Sequence, residues 1–325
     1  QLFRTSMEIM KTDCQQNGVA AFHTAALTAL ACALITLGAC QGGGTQEIAQ
    51  LYYPTADQAA DALLAACEAN DLAALTAVLG TDHQEVYITA DPASDLEARQ
   101  RFCELAKQKQ YFQEAGPDTL EIVVGEDEWP LPIPLVKAPE GWFFDTAAGA
   151  QEIIDRRIGR NEIEAIELCR GVLYAQQEYA ARDHDNDGIN EYAQKLKASP
   201  GTTDGLYWPA DEARGPSPLD GFILNNEDYF NIRDEGTPWR GYYGKLLTAQ
   251  GLDAPGGAQS YLEGDDMLVG FAGILCPAEY GSSGIMSFMV SHHGTVYEKD
   301  LGPDSLEIGK AMTEFNPDPS WTPVQ

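Results

Sequence analysis

The sequence predicts an α+β protein in which N-terminal helices lead into a small antiparallel sheet and a long helix then packs on an antiparallel meander. Three observations carry this expectation. Apolar residues recur at helical spacing from Thr55 onward and switch to strand-like runs between Leu120 and Asp145. A second stripe at helical spacing occupies Ile163 to Ala180. Beyond it, four apolar runs are joined by short, glycine-bearing connections.

The first helix is expected from the capping box that pairs Thr55 with Gln58, continuing through Leu63, Leu64 and Cys67. A second, Asp71 to Leu79, should stop at Gly80. Ser94 with Glu97 is expected to start a third, carrying Phe102, Leu105, Ala106 and Phe112 on one side. Leu120 to Gly125 reads as a strand, as does Gly141 to Asp145. Between them, Trp129 to Lys137 alternates leucine and isoleucine with prolines, which cannot donate to a ladder, so an edge strand or extended arm is expected there. A helix from Ala147 to Ile158 should end at Gly159, and Asn161 should cap a new, long helix whose stripe is Ile163, Ile166, Cys169, Val172, Leu173 and Ala180. A loop-rich segment covers Leu206 to Gly221. Strands are then expected at Gly241 to Thr248, Met267 to Leu275, Ile285 to Ser291 and Thr295 to Lys299.

The 325 residues suffice for two domains, placed at 53–158 and 159–325. With 50 Asp and Glu against 20 Lys and Arg, the formal charge is -30, a surface that repels phosphate backbones and excludes nucleic acid as a partner. Residues 1–39 read as a secretion signal, with an apolar run from Val19. Its end, Leu37-Gly38-Ala39-Cys40, resembles a bacterial lipobox, which implies cleavage before Cys40 and lipid on its sulfur. The glycine-rich residues 40–52 suit a flexible tether from the membrane to the folded body, and Gln41 implies, by resemblance to sorting rules, an outer-membrane lipoprotein facing the periplasm, or a secreted one. Four further cysteines remain. In an oxidising compartment they would pair as Cys67 with Cys103 and Cys169 with Cys276, or stay as free thiols, which the positions of Cys67, Cys103 and Cys169 on apolar helical stripes favour.

Several long motifs carry a family resemblance. GTPWRGYYGKLLTAQG (Gly236 to Gly251), CPAEYGSSGIMSFMV (Cys276 to Val290) and GTVYEKDLGPDS (Gly294 to Ser305) resemble the bacterial domain-of-unknown-function 2950 family, as do WPLPIPLVK, GWFFDTAAGA and IGRNEIEAIELC upstream. The likeness runs from about Tyr53 to Trp321 and implies a secreted or lipid-anchored envelope protein without an assigned reaction. The order of elements in the first half resembles the cone-shaped nuclear-transport-factor-2-like fold. The helix and meander of the second half resemble the globular part of pilin-like proteins.

The stretch RDHDNDGINEYAQ, Arg182 to Gln194, places Asp183, Asp185 and Asp187 at alternate positions before Gly188. Adjacent carboxylates resist ionising together unless a dication lies between them. The spacing resembles the opening of DxDxDG calcium loops, with Asp183, Asp185, Asp187, the Ile189 carbonyl and Glu191 as expected ligands of calcium. Position twelve is Gln194 instead of a bidentate glutamate, which favours a nine-residue variant closed by Glu191 over an EF-hand proper. His184 and Asn186, at the intervening positions, are expected to face solvent. The acidic runs Gly125 to Trp129 and Glu263 to Asp266 lack this spacing and read as turns.

Catalytic signatures are missing from the sequence. Gly281-Ser282-Ser283-Gly284 is one residue short of G-x-S-x-G, no HExxH, CxxC or phosphate loop occurs, and His292 and His293, if in a strand, face opposite sides. The expectation is a non-enzymatic envelope lipoprotein, calcium-stabilised, that presents a surface to another envelope component. The alternative is a hydrolase acting on an envelope polymer from a site between the two domains.

Overall fold

The N-terminal helices start where a side-chain oxygen meets the first free amides. A computed structural model describes residues 48–211, 213–220 and 237–324. Thr55 Oγ1 accepts the Gln58 amide at 3.2 Å and opens α1 (Ala56–Glu68). Asp71 Oδ1 accepts the amides of Ala73 and Ala74, each at 3.0 Å, and opens α2 (Leu72–Leu79), which Gly80 ends at φ +85°. The third helix begins earlier than expected: Asp91, not Ser94, is its cap, accepting the Ser94 amide at 3.1 Å, and α3 spans Pro92–Gln108. Proline at the first helical position has no amide to leave unpaired, so it suits this start. Phe112 falls outside α3, in a strand that the sequence pattern did not announce.

That strand, β1 (Gln110–Gly116), is largely polar and exposed, and its order comes from pairing antiparallel with the apolar β2 (Thr119–Val124), Tyr111 opposite Val123. β3 (Trp129–Pro130) also pairs with β2, and β4 (Leu135–Ala138) lies between β2 and β5 (Gly141–Phe144), giving the order β1-β2-β4-β5. The proline-rich arm therefore joins the ladder only at its two ends, as its missing donors require. Its apolar members still reach the core: Ile133 and Leu135 are buried.

Asp145 caps α4 (Thr146–Tyr179), a single helix of 34 residues. The expected break at Gly159 does not occur. An interior glycine costs a helix only about 1 kcal/mol relative to alanine, and tertiary contacts on either side of residue 159 outweigh it. Asn161, expected as a cap, is instead buried inside the helix, its Nδ2 donating to the Ser283 carbonyl at 2.9 Å. The core face is Ala165, Leu168, Cys169, Val172, Ala175 and Tyr179. Ile163, expected on that stripe, is 63% exposed; it stands six residues before Cys169, hence about 120° away around the helix.

The second half begins with β6 (Tyr242–Leu247), followed by four two-residue strands: β7 (Ala249–Gln250), β8 (Gln259–Ser260), β9 (Leu262–Glu263) and β10 (Asp266–Met267). Then come β11 (Ala272–Pro277), β12 (Met286–Ser291), β13 (Val296–Asp300), α5 (Ser305–Ala311), β14 (Glu314–Phe315) and β15 (Thr322–Pro323). The main sheet has the order β15-β13-β12-β11-β6 with every pair antiparallel, and α4 packs on β11, β12 and β13. The architecture is α+β, as the sequence implied. The run expected as one strand from Met267 to Leu275 divides into β10 and β11, and β14 beside β7 forms a parallel pair that was not foreseen. Two apolar clusters result, one built on α1, α2, α3 and the first sheet, the other on the later part of α4 and the second sheet. Cys67, Cys103, Cys169 and Cys276 are all free, buried thiols; burial, and then the neighbouring Cys103, pushes the Cys67 thiol up to about 12.

The two glycines of α4 have opposite surroundings. A Cβ on Gly149 would fall against the Pro132 carbonyl, 2.8 Å from its carbon, whereas one on Gly159 would meet nothing within 4 Å. Gly149→Ala is expected to destabilise by about 1–3 kcal/mol despite its better helix propensity, and Gly159→Ala to stabilise by about 0.5–1 kcal/mol. Urea unfolding midpoints of the two variants check the pair, and equal shifts of one sign would contradict it.

Candidate functional site

Tyr179 ends α4, and the chain immediately folds back over it. The His184 ring stacks on the Tyr179 ring at 3.8 Å and 8°, with the edge of Trp208 5.9 Å away, and His184 Nε2 lies 3.1 Å from the Tyr179 carbonyl. Expected to face solvent, His184 is thus half-buried and supplies a partner for one of the last carbonyls of the helix. This anchor fixes where the acidic loop starts.

Within the loop the carboxylates are organised by backbone amides. Asp183 accepts from Asn186 at 2.7 Å through Oδ1 and from Gly188 at 3.0 Å through Oδ2. Asp185 Oδ1 accepts the Asp187 amide at 3.2 Å, and Asp187 Oδ1 accepts the Ile189 amide at 2.7 Å. The turn needs left-handed backbone at Asn186 (φ +66°) and Gly188 (φ +91°), which asparagine and glycine tolerate best. As a result one oxygen from each of Asp183, Asp185 and Asp187 lies within 4.8 Å of the others, a spacing that could hold a metal ion. Partial burial pushes the Asp183 carboxyl up, but the Gly188 and Asn186 amides outweigh it and hold the group below its ordinary value.

Of the five expected ligands, these three aspartates come together. Ile189 enters the loop through its amide, and Glu191 is turned toward β10, where its Oε2 accepts the Met267 amide at 3.2 Å. Burial, then the charges of Asp266 and Asp185, raise the Glu191 carboxyl. Gln194 Nε2 donates to the Asp265 carbonyl at 2.5 Å, so the β9–β10 hairpin, one of the acidic runs read as a turn, is the neighbour of the loop. No helix follows the loop among the described residues up to 211, in contrast to an EF-hand. Cys40, the expected lipid site, lies outside the described residues.

A second constellation lies where α4 passes between the two apolar clusters. Arg157 donates to the carbonyls of Val86 at 2.6 Å and Glu85 at 3.1 Å. Arg240 pairs with Glu97 and with Glu164, the latter at 3.2 Å, and Asp91 Oδ2 accepts the Gly241 amide at 3.3 Å. Burial raises the carboxyls of Asp95 and Glu164. Both oxygens of Asp95 are engaged, by the Thr89 amide at 2.7 Å and the Thr89 hydroxyl at 2.9 Å. The cleft here has a volume of only 20 Å³, about one water molecule.

The remaining motifs carry structure. Ser283 is buried and its Oγ accepts the Glu279 amide at 2.9 Å within its own turn, with Arg157, not histidine, beside Ser282. The strand ends at Ser291, so His292 and His293 lie in a turn with ring centroids 4.1 Å apart, not on opposite faces; their ring nitrogens contact the carbonyls of Phe271 and Pro255. Among the described residues no helix is long and apolar enough to cross a membrane.

A family model described as "Protein of unknown function (DUF2950)" matches residues 50–324. Neither a curated protein nor a solved structure matches the chain.

Burial beside Tyr179 and Trp208 lowers the pKa of His184. The unfolded chain therefore takes up this proton at a higher pH than the folded one, and stability falls as pH drops through the window that opens near the ordinary histidine value of about 6.5. His184→Phe, which keeps a ring on Tyr179, is expected to flatten the decline of Tm between about pH 7 and pH 5. Thermal melts across that range check it, and an unchanged slope would show that His184 is not the titrating group.

Proposed function

The chain belongs to the DUF2950 family of proteins of unknown function, and from that premise we propose that it is a non-enzymatic envelope lipoprotein whose folded part is a calcium-stabilised binding or structural module. The observation that supports this best is the convergence of Asp183, Asp185 and Asp187 at the end of α4. Three carboxylates so close repel one another, and a dication reverses the penalty. Calcium suits hard oxygen donors and takes six to eight of them, so water and neighbouring carbonyls would complete its shell. The ion would stiffen the loop that leads from the end of the long helix to Glu191 and Gln194, the residues that bond the β9–β10 hairpin. The lipid at Cys40 would hold that surface at a membrane, and the charge of -30 suits a face that stays soluble there.

The rival reading, a hydrolase of an envelope polymer working from the seam, has the raised carboxyls of Asp95 and Glu164 in its favour. Against it stand the small cleft and the engaged oxygens of Asp95. A general acid needs room to reach a substrate atom within hydrogen-bond distance.

Calcium at a hundredfold excess over Kd is expected to raise Tm by about 5 °C over a chelator-treated sample. Asp185→Asn with Asp187→Asn should abolish the rise while leaving the chelated melt almost unchanged. Coincident melts of the parent chain with millimolar calcium and with chelator would sink the metal reading. Independently, Cys40→Ser is expected to move the protein from the membrane fraction to the soluble one in an expressing bacterium, and retention with the membrane would refute the lipid anchor.

A further inference from the structure

The N-terminal apolar cluster carries an open pocket. A cavity of 230 Å³ opens among α1, α2, α3 and the proline-rich arm, lined by apolar side chains such as Leu63, Leu75, Phe102 and Ile133. Its wall also carries Arg99, Arg156, Arg157 and Arg160, four of the 20 Lys and Arg in a chain with a formal charge of -30. Cationic groups are scarce on this molecule, and a fifth of them gather at one apolar hole.

Their partners divide them. Arg156 is held by Glu152 at 2.6 Å and lies over the Trp129 ring, its guanidinium 5.2 Å from the centroid. Arg157 is taken up by the Glu85 and Val86 carbonyls, and Asp95, the acidic group in the same wall, by Thr89. Arg99 donates through Nε to Asn70 Oδ1 at 3.0 Å, but its Nη1 is buried with no hydrogen-bond partner among the described residues. Ser94 Oγ is buried and unpartnered in the same way. Two residues with an orphaned donor, one of them cationic, thus stand in the wall of a cavity that is mostly apolar. A buried donor left unsatisfied is costly, and a ligand that satisfies it gains what the apo protein lacks.

We propose that this cavity binds a single-chain aliphatic carboxylate, its tail among the leucines and phenylalanine and its carboxylate on Arg99 Nη1 and Ser94 Oγ. The size fits one chain only. In proportion to an engineered apolar cavity of about 150 Å³ that takes benzene, 230 Å³ takes roughly nine carbons. Arginine presents a planar fork that matches a carboxylate, and pairing in a water-poor site strengthens the contact. The site is separate from the acidic loop, and its occupancy does not depend on an ion there.

The test uses the full chain and sodium decanoate, with decan-1-ol as the uncharged control, both below the concentration at which they aggregate, in a calorimetric titration. One decanoate per chain is expected, bound at least about tenfold more tightly than decanol, the factor a single charged hydrogen bond supplies. Arg99→Gln should bring decanoate down to the level of decanol and leave decanol unchanged. Ala98 is exposed on α3 at the edge of the cavity, so Ala98→Trp should plug the mouth, abolish binding of both probes and preserve Tm; it carries the test should Arg99→Gln fail to fold. The proposal is overturned by absent binding, by uptake of several decanoates per chain, by equal affinity for decanol, or by binding that survives Ala98→Trp.

Discussion

Everything in this fold turns on an unbroken helix that has to leave one core and enter another. Between Ala150 and Ala165 the buried apolar residue is Ile158, which belongs to neither cluster. The middle of α4 is polar, and most of its polar groups are answered, from different directions: Arg157 by carbonyls before α3, Asn161 Nδ2 by the turn at Ser283, Glu162 by the amides of Ile285 and Met286 at 3.0 and 2.9 Å, and Glu164 by Arg240, while Asn161 Oδ1 is buried without a hydrogen-bond partner among the described residues. Partly buried ion pairs contribute little net stability, since desolvation offsets attraction, but an unanswered one is costly. The seam therefore specifies orientation more than it adds strength.

This explains which elements the sequence discloses. Caps and stripes are local chemistry, so Thr55, Asp71 and Gly80 mark α1 and α2 where the periodicity places them. The central strands of the second sheet, β11 and β12, are buried along nearly their whole length and are equally readable as continuous apolar runs. β1 is not, because Gln110–Gly116 is mostly exposed and borrows its order from β2 across the hairpin. Nor is the continuity of α4: Gly159 followed by Asn161 has the local form of a helix end, and only Ser283, 122 residues away, reveals that the asparagine amide is wanted inside the helix.

The acidic loop shows the same division. The alternation of Asp183, Asp185 and Asp187 before Gly188 is a local signal, and the carboxylates do converge. Glu191 has the right spacing to close the ring but is claimed by the Met267 amide, a contact set by the hairpin 76 residues later. His184, between two aspartates, has nothing in its immediate neighbours to announce a stack on Tyr179; the aromatic residue five positions back was the available clue. The cavity in the first cluster was illegible, since a void is a property of how helices meet and not of any one of them.

Gly149 gives the helix a fixed phase. Its bare Cα sits against the Pro132 carbonyl, and about two to four turns further on the polar groups at 157, 161 and 164 must face their answers in the seam. A residue inserted between these points would rotate everything downstream by about 100° and advance it by about 1.5 Å. The stretch from 149 to 164 is consequently a ruler whose length cannot drift, even though the loops around it are free to grow or shrink.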